Sequence, residues 1–115
     1  MADYVELNIE AGTDFETEVT VSDASQFPKD LQDYSVFAQL RKSYYSTTAI
    51  DFDISVDDPV GGIITLELSS EVTSNIRPGR YVYDVNIRND DTNKVTRIFE
   101  GIATVSPTAT KIPSP

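Results

Sequence analysis

Four aspartates between positions 51 and 58 form the densest group of chemically useful side chains in the chain: Asp51, Asp53, Asp57 and Asp58. In one extended strand, Asp51 and Asp53 would project from the same face about 7 Å apart. That separation is typical of paired glycosidase carboxylates. The alternative is the solvated face of a strand, where like charges also protect a sheet edge from unwanted pairing. We predict this second, structural role.

A second polar segment, residues 89–100, has part of the spacing of a calcium-binding loop. Asn89, Asp91, Asn93 and Glu100 occupy positions one, three, five and twelve of that frame. The sixth position requires glycine for a sharp turn and is lysine here. We therefore predict a hairpin turn, and no bound metal at this segment or at the aspartates.

The composition disfavours most other catalytic chemistry. The 115-residue chain has no histidine and no cysteine, which removes the commonest general base, the commonest transition-metal ligand and the thiol nucleophile. It also has no Gly-rich phosphate loop and no nucleophile-elbow motif. We predict a protein that is not an enzyme and that needs no cofactor.

The charge balance bears on possible partners. With 19 acidic and 9 basic residues the net charge is −10, which repels nucleic-acid phosphates and anionic membranes. The start of the sequence lacks a secretion-signal pattern, and no apolar run approaches the roughly 18 residues of a membrane span. We expect neither nucleic acid nor membrane as a partner.

One cationic and aromatic segment stands out, RKSYYSTT at residues 41–48. Arginine and tyrosine are enriched among the residues that dominate binding energy at protein interfaces. Arg41, Lys42, Tyr44 and Tyr45 are therefore predicted partner contacts. The alternative is an ordinary exposed loop with one tyrosine folded onto a sheet.

Apolar and polar residues alternate along most of the chain, which is the pattern of half-buried strands. Short stretches rich in Gly, Pro, Asn and Asp separate these segments. The pattern predicts an all-β, immunoglobulin-like sandwich of about seven antiparallel strands, with residues 1–106 as one domain.

The clearest structural signal is RPGRYVYDVNIRNDDTNKVTRIFEG at residues 77–101, which predicts a β-hairpin. Its first strand is predicted to place four residues in the core: Tyr81, Tyr83, Val85 and Ile87. Gly101 predicts a bulge or close packing under an aromatic ring. Before the hairpin, residues 69–76 predict one helical turn capped by Ser70.

The end of the chain differs in composition. Residues 107–115 are rich in proline and lack periodicity, so they predict an extended arm. Prolines keep such a segment extended and reduce the entropy lost on docking. Pro107, Ile112 and Pro113 are predicted partner contacts.

Several motifs in order suggest a family: DLQDYSVFAQLRKS, GGIITLELS, IRPGRYVYDVNI and TRIFEGIATVSP. Across residues 4–107 the sequence resembles small bacteriophage proteins similar to the N-terminal β-sandwich of upper-baseplate and tail-fibre attachment proteins. The family pattern D-L-T-G-Y is changed here, because Gln32 and Asp33 replace Thr-Gly.

This resemblance implies a non-enzymatic structural component of the virion of a tailed phage, in the tail, baseplate or fibre region. The implied partners are other phage structural proteins, including copies of the chain itself in a symmetric assembly. Two alternatives stay open. One is a capsid decoration (cement) or neck protein, and the other is a carbohydrate-binding module that contacts the host surface through Tyr44 and Tyr45.

Overall fold

The computed structural model describes residues 2–23, 25 and 27–110, which form strands and one short helix. The elements, in chain order, are β1 (Asp3–Tyr4), β2 (Leu7–Glu10), β3 (Phe15–Thr20), β4 (Tyr34–Arg41), β5 (Ile50–Asp51), β6 (Asp53–Asp58), β7 (Ile63–Leu68), α1 (Ser70–Ser74), β8 (Gly79–Asn89) and β9 (Val95–Ser106).

The strands form two sheets that pack face to face. The first has the order β1–β9–β8–β4–β5, with β2 also on β9, and the second has the order β3–β7–β6. This is an immunoglobulin-like sandwich, so the predicted fold class is confirmed. The antiparallel prediction is wrong at one edge, where β1 and β2 run parallel to β9. The reason is that β8 pairs with one edge of β9 and leaves its other edge free. The N-terminal strands β1 and β2 pair with that free edge before the chain continues to β3 in the second sheet.

The core lies between the sheets and has the predicted register. Val85 is fully buried, Tyr83 and Ile87 are almost so, and Tyr81 is half-buried. The residues between them in β8 project from the opposite face. Apolar side chains of the second sheet and its connections cover these inward-facing residues of β8: Phe52, Ile64, Leu66 and Leu68.

Gly101 allows the N-terminal segment to lie against β9. A Cβ at this position would collide with the carbonyl oxygen of Val5 and approach Cε1 of Tyr83 to 3.3 Å. The Tyr83 hydroxyl donates to that Val5 oxygen at 2.5 Å, and the Val5 N–H donates to the Glu100 oxygen at 3.0 Å. The predicted close packing under an aromatic ring is therefore confirmed, with Tyr83 as the ring.

The buried hydroxyl of Tyr83 makes the stability of the fold decrease at alkaline pH. Burial, with a smaller contribution from Tyr4, raises the pKa of Tyr83 to about 12. An unfolded tyrosine ionises near pH ~10. The stabilising contribution of Tyr83 is therefore complete below about pH 10 and is lost as pH rises towards the folded pKa.

We expect Tyr83→Phe to remove the loss of unfolding free energy that Tyr83 causes at alkaline pH. The measurement is urea unfolding of both proteins at about pH 8 and about pH 11. Losing the hydrogen bond to Val5 should also cost about 1 kcal/mol at neutral pH. Tyr45→Phe is the matched control, because Tyr45 is 95% exposed. Equal pH dependence in the two variants would contradict the expectation.

The predicted helical turn is present, but its cap is one residue earlier. Ser69 is the N-cap, with extended backbone angles, and its side chain accepts from the N–H of Val72 at 3.3 Å. Ser70 is already helical, and its N–H donates to Oδ1 of Asp14 at 2.7 Å. Thr73, on the inner side of α1, is fully buried. The helix therefore begins one residue before the predicted position.

Candidate functional site

The four aspartates do not form a catalytic pair. The chain passes from the first sheet to the second at Phe52, whose buried ring lies 6.2 Å from the ring of Tyr83. Asp51 therefore ends β5 and Asp53 begins β6 in the other sheet. The prediction of one strand with both carboxylates on one face is wrong, because the buried phenylalanine divides it. Asp51 accepts from Nε2 of Gln39 at 2.7 Å.

The other two aspartates bind nearby groups of the fold. Asp57 accepts from the hydroxyl of Thr65, and also from the hydroxyl of Ser55 at 3.1 Å. Oδ1 of Asp58 accepts from the N–H of Gly61 at 3.1 Å, within the turn between β6 and β7. These contacts are consistent with the structural role predicted for the aspartates.

The calcium-like segment forms the predicted hairpin turn. Oδ1 of Asn89 accepts from the N–H groups of Asp91 at 2.9 Å and Thr92 at 3.1 Å. Asn93 adopts the left-handed conformation with φ 60, and Glu100 lies on β9 away from the turn. Within the described residues, no three histidine, cysteine, aspartate or glutamate side chains are grouped to hold a metal.

Carboxylates gather on the outer face of the second sheet. Glu16, Glu67 and Asp53 are directly opposite one another on three neighbouring strands. The three strands contain no lysine or arginine, and like charges in direct register are destabilising. The strands of this face therefore carry negative charge that no cation of their own balances, and the face repels anions.

Basic and aromatic side chains gather beyond the end of β4, in the predicted contact segment. The N–H of Ser46 donates to the oxygen of Ser43 at 3.1 Å, and Nη1 of Arg41 donates to the oxygen of Ser46 at 2.6 Å. This hydrogen-bonded turn, residues 41–48, is called here the tyrosine turn. Tyr44 is 57% exposed and Tyr45 is 95% exposed, so neither ring is buried against the sheet.

A cleft of about 450 Å³ lies beside the tyrosine turn, between the 41–50 segment and the connection from α1 to β8. It is called here the basic cleft. The residues that give it its character are Arg41, Lys42, Ile50, Arg77, Pro78 and Tyr81. Nζ of Lys42 donates to the oxygen of Arg80 at 3.0 Å and lies 4.8 Å from the centroid of the Tyr81 ring.

Half of the basic cleft was not predicted. Arg77, Pro78 and Tyr81 are far from Arg41 in sequence, and the pairing of β4 with β8 brings them together. A signal was present, because IRPGRY is a second basic segment in an acidic chain. From sequence alone, that segment predicts only the start of a hairpin.

A second cleft, of about 470 Å³, lies at the other end of the sandwich. Nζ of Lys29 lies 4.9 Å from the centroid of the Tyr34 ring. The neighbouring side chains of Asn89 and, to a smaller extent, Lys29 lower the pKa of Tyr34. Asp3 and Asp23 also line this cleft, so its charge is mixed.

The predicted arm follows directly after β9. Pro107 is exposed and lies outside any strand. Ile112 and Pro113 are outside the described residues, and their partner contacts remain predictions. Among the residues that the structure describes, no helix has the length and apolar character needed to cross a membrane.

Comparison with known protein families finds no match, and comparison with curated proteins also finds none. Among solved structures, the chain is similar to the NK cell receptor Nkp44, with 16% identity, 92% of this chain and 99% of the receptor chain covered, and a TM-score of 0.47. It is also similar to a family 123 glycoside hydrolase from Clostridium perfringens, with 10% identity and a TM-score of 0.41. That second match covers 92% of this chain but 23% of the hydrolase. These are distant likenesses, and neither indicates an activity or a partner for this chain.

Proposed function

We propose that the chain is a non-enzymatic structural module of a tailed-bacteriophage particle. In this proposal it joins or decorates other virion proteins in the tail, baseplate or fibre region. The phage setting rests on the motif resemblance, and the mode of attachment rests on the tyrosine turn.

The motif residues have backbone roles in this fold, which supports the resemblance. Asp33 stands where the family pattern has glycine and adopts φ 65, a conformation that aspartate tolerates better than most residues. The motif glycine Gly62 has φ 70, and a Cβ there would lie 2.6 Å from the oxygen of Val21 and 2.7 Å from that of Lys29. The departure at Asp33 therefore preserves the turn that the pattern requires.

The observation that carries the attachment proposal is the exposure of Tyr44 and Tyr45 on a hydrogen-bonded turn. Tyrosine offers a large contact area at a low entropy cost, because it has few rotatable bonds. A turn that is already ordered loses little further freedom on binding. The tyrosine turn therefore has the properties of an anchor for a protein partner.

Replacing both Tyr44 and Tyr45 with alanine should reduce incorporation into assembled particles by tenfold or more, since aromatic anchors contribute about 2 kcal/mol or more to binding. The free energy of unfolding should change by less than about 0.5 kcal/mol, because both side chains are exposed. The measurement is quantitative mass spectrometry of particles grown with the variant in place of the natural gene.

Phe27→Ala is the matched control, because Phe27 is an aromatic residue that is 67% exposed in a different loop. It should leave incorporation unchanged. Full incorporation of the double variant would refute the role of the tyrosine turn. If incorporation were normal but adsorption to host cells fell, the tyrosines would contact the host surface, as expected for a carbohydrate-binding module.

A further inference from the structure

We propose that the basic cleft binds an acidic, extended segment of the protein to which the chain attaches. This inference rests on the proposed assembly function and adds the chemistry of the partner. Arg41, Lys42 and Arg77 line the cleft, and none of its lining residues is acidic. Acidic residues outnumber basic ones by 19 to 9 in the chain, so such a concentration of positive charge is unusual within it.

Neutral oxygens hold two of these cations without cancelling their charge. Arg41 donates from Nη1 to the oxygen of Ser46 and from Nη2 to Oε1 of Gln39 at 3.1 Å. Lys42 donates to the backbone oxygen of Arg80. In the described part of the chain, the carboxylates within 4.0 Å of a basic group belong to other pairs, Arg88–Asp90 and Arg97–Asp84. The cleft is therefore ordered before an anion binds, which lowers the cost of binding.

The walls of the cleft favour a polypeptide over a simple ion. Ile50, which is half-buried, and Pro78, which is exposed, add apolar surface beside the cations. A volume of about 450 Å³ is large enough for several side chains. An extended segment with carboxylate and apolar side chains would match both the charge and the surface.

The basic cleft is also continuous with the tyrosine turn. Arg41 closes the turn through its bond to Ser46 and lines the cleft at the same time. A partner that covers Tyr44 and Tyr45 would therefore pass next to the three cations. Nucleic acid fits less well, because a long phosphate backbone would be repelled by the net charge of −10.

The test is an NMR titration of the full chain with the peptide acetyl-Gly-Glu-Leu-Glu-Gly-amide. Amide shifts should change at Ile50, Arg77 and Tyr81 and saturate with a dissociation constant on the order of 1 mM. The affinity should fall between about 20 mM and about 200 mM salt. The same peptide with glutamine for glutamate should bind about tenfold more weakly.

Arg77→Gln should weaken binding of the glutamate peptide about tenfold. The side chain of Arg77 is exposed, so this variant should fold normally. Arg88→Gln is the matched control, because Arg88 pairs with Asp90 at the end of β8 that is far from the cleft and should not affect binding. Equal effects of the two variants, equal binding of the two peptides, or no shift changes at the cleft would overturn the proposal.

A second titration, with an oligodeoxythymidine, distinguishes phosphate from carboxylate. Tighter binding of the oligonucleotide than of the glutamate peptide at the cleft would overturn the assignment to an acidic protein segment. The titrations use the isolated chain, whereas the proposed assembly function is tested on particles. The two proposals can therefore fail separately.

Discussion

Gly101→Ala is expected to lower the free energy of unfolding by about 3 kcal/mol, through overpacking and the loss of one or two hydrogen bonds. The added Cβ would occupy the place of the Val5 carbonyl oxygen, which belongs to the backbone and cannot rotate away. The N-terminal segment must then move off β9. That movement breaks the bonds from Tyr83 to Val5 and from Val5 to Glu100. Urea denaturation measures the loss.

Gly61→Ala is the control for this prediction. A Cβ at position 61 would lie 2.5 Å from Oδ2 of Asp58, an exposed and flexible side-chain atom that can move. Its effect should stay within about 1 kcal/mol. If Gly101→Ala were as stable as the Gly61→Ala protein, the packing of Val5 against β9 would be wrong.

Val85→Ala is expected to cost about 2–3 kcal/mol from lost burial and the cavity left behind. Val85 is fully buried in β8, where it pairs with Ala38 of β4 and Phe99 of β9. Its neighbours are held in these strands, so the core cannot easily close around the missing methyl groups. The measurement is again the free energy of unfolding in urea.

The matched control is Val95→Ala, at the start of β9 in the same hairpin. Val95 is 60% exposed, so this change should stay within about 0.5 kcal/mol. Similar costs for the two valines would mean that the inward face of β8 is assigned incorrectly.

The parts of the fold that were predicted from sequence depend on local patterns. Alternation over β8 and β9 identified the hairpin, and Asn89 and Asn93 marked its turn. The position of Gly101 also indicated close packing correctly. In each case neighbouring residues carry the signal, because a strand with one buried face must repeat every two residues.

The features that were missed depend on contacts between distant segments. Alternation continues through residues 50–56, and nothing in that pattern shows that Phe52 carries the chain from one sheet to the other. The parallel pairing of β2 with β9 likewise depends on which sheet edge is free. The residues of the candidate site also divide into those with a local sequence signal and those brought together by distant contacts. Arg41, Lys42, Tyr44 and Tyr45 were predicted together, whereas the wall around Arg77 is brought close by the β4–β8 pairing.

The most direct test of the central proposal is to locate the unaltered chain in purified particles produced from the genome that encodes it. Mass spectrometry of the particles and antibody labelling in electron micrographs would give its copy number and position. We expect a fixed number of copies per particle, located on the tail or baseplate. Abundant chain in the infected-cell lysate with none on purified particles would contradict the proposed structural role.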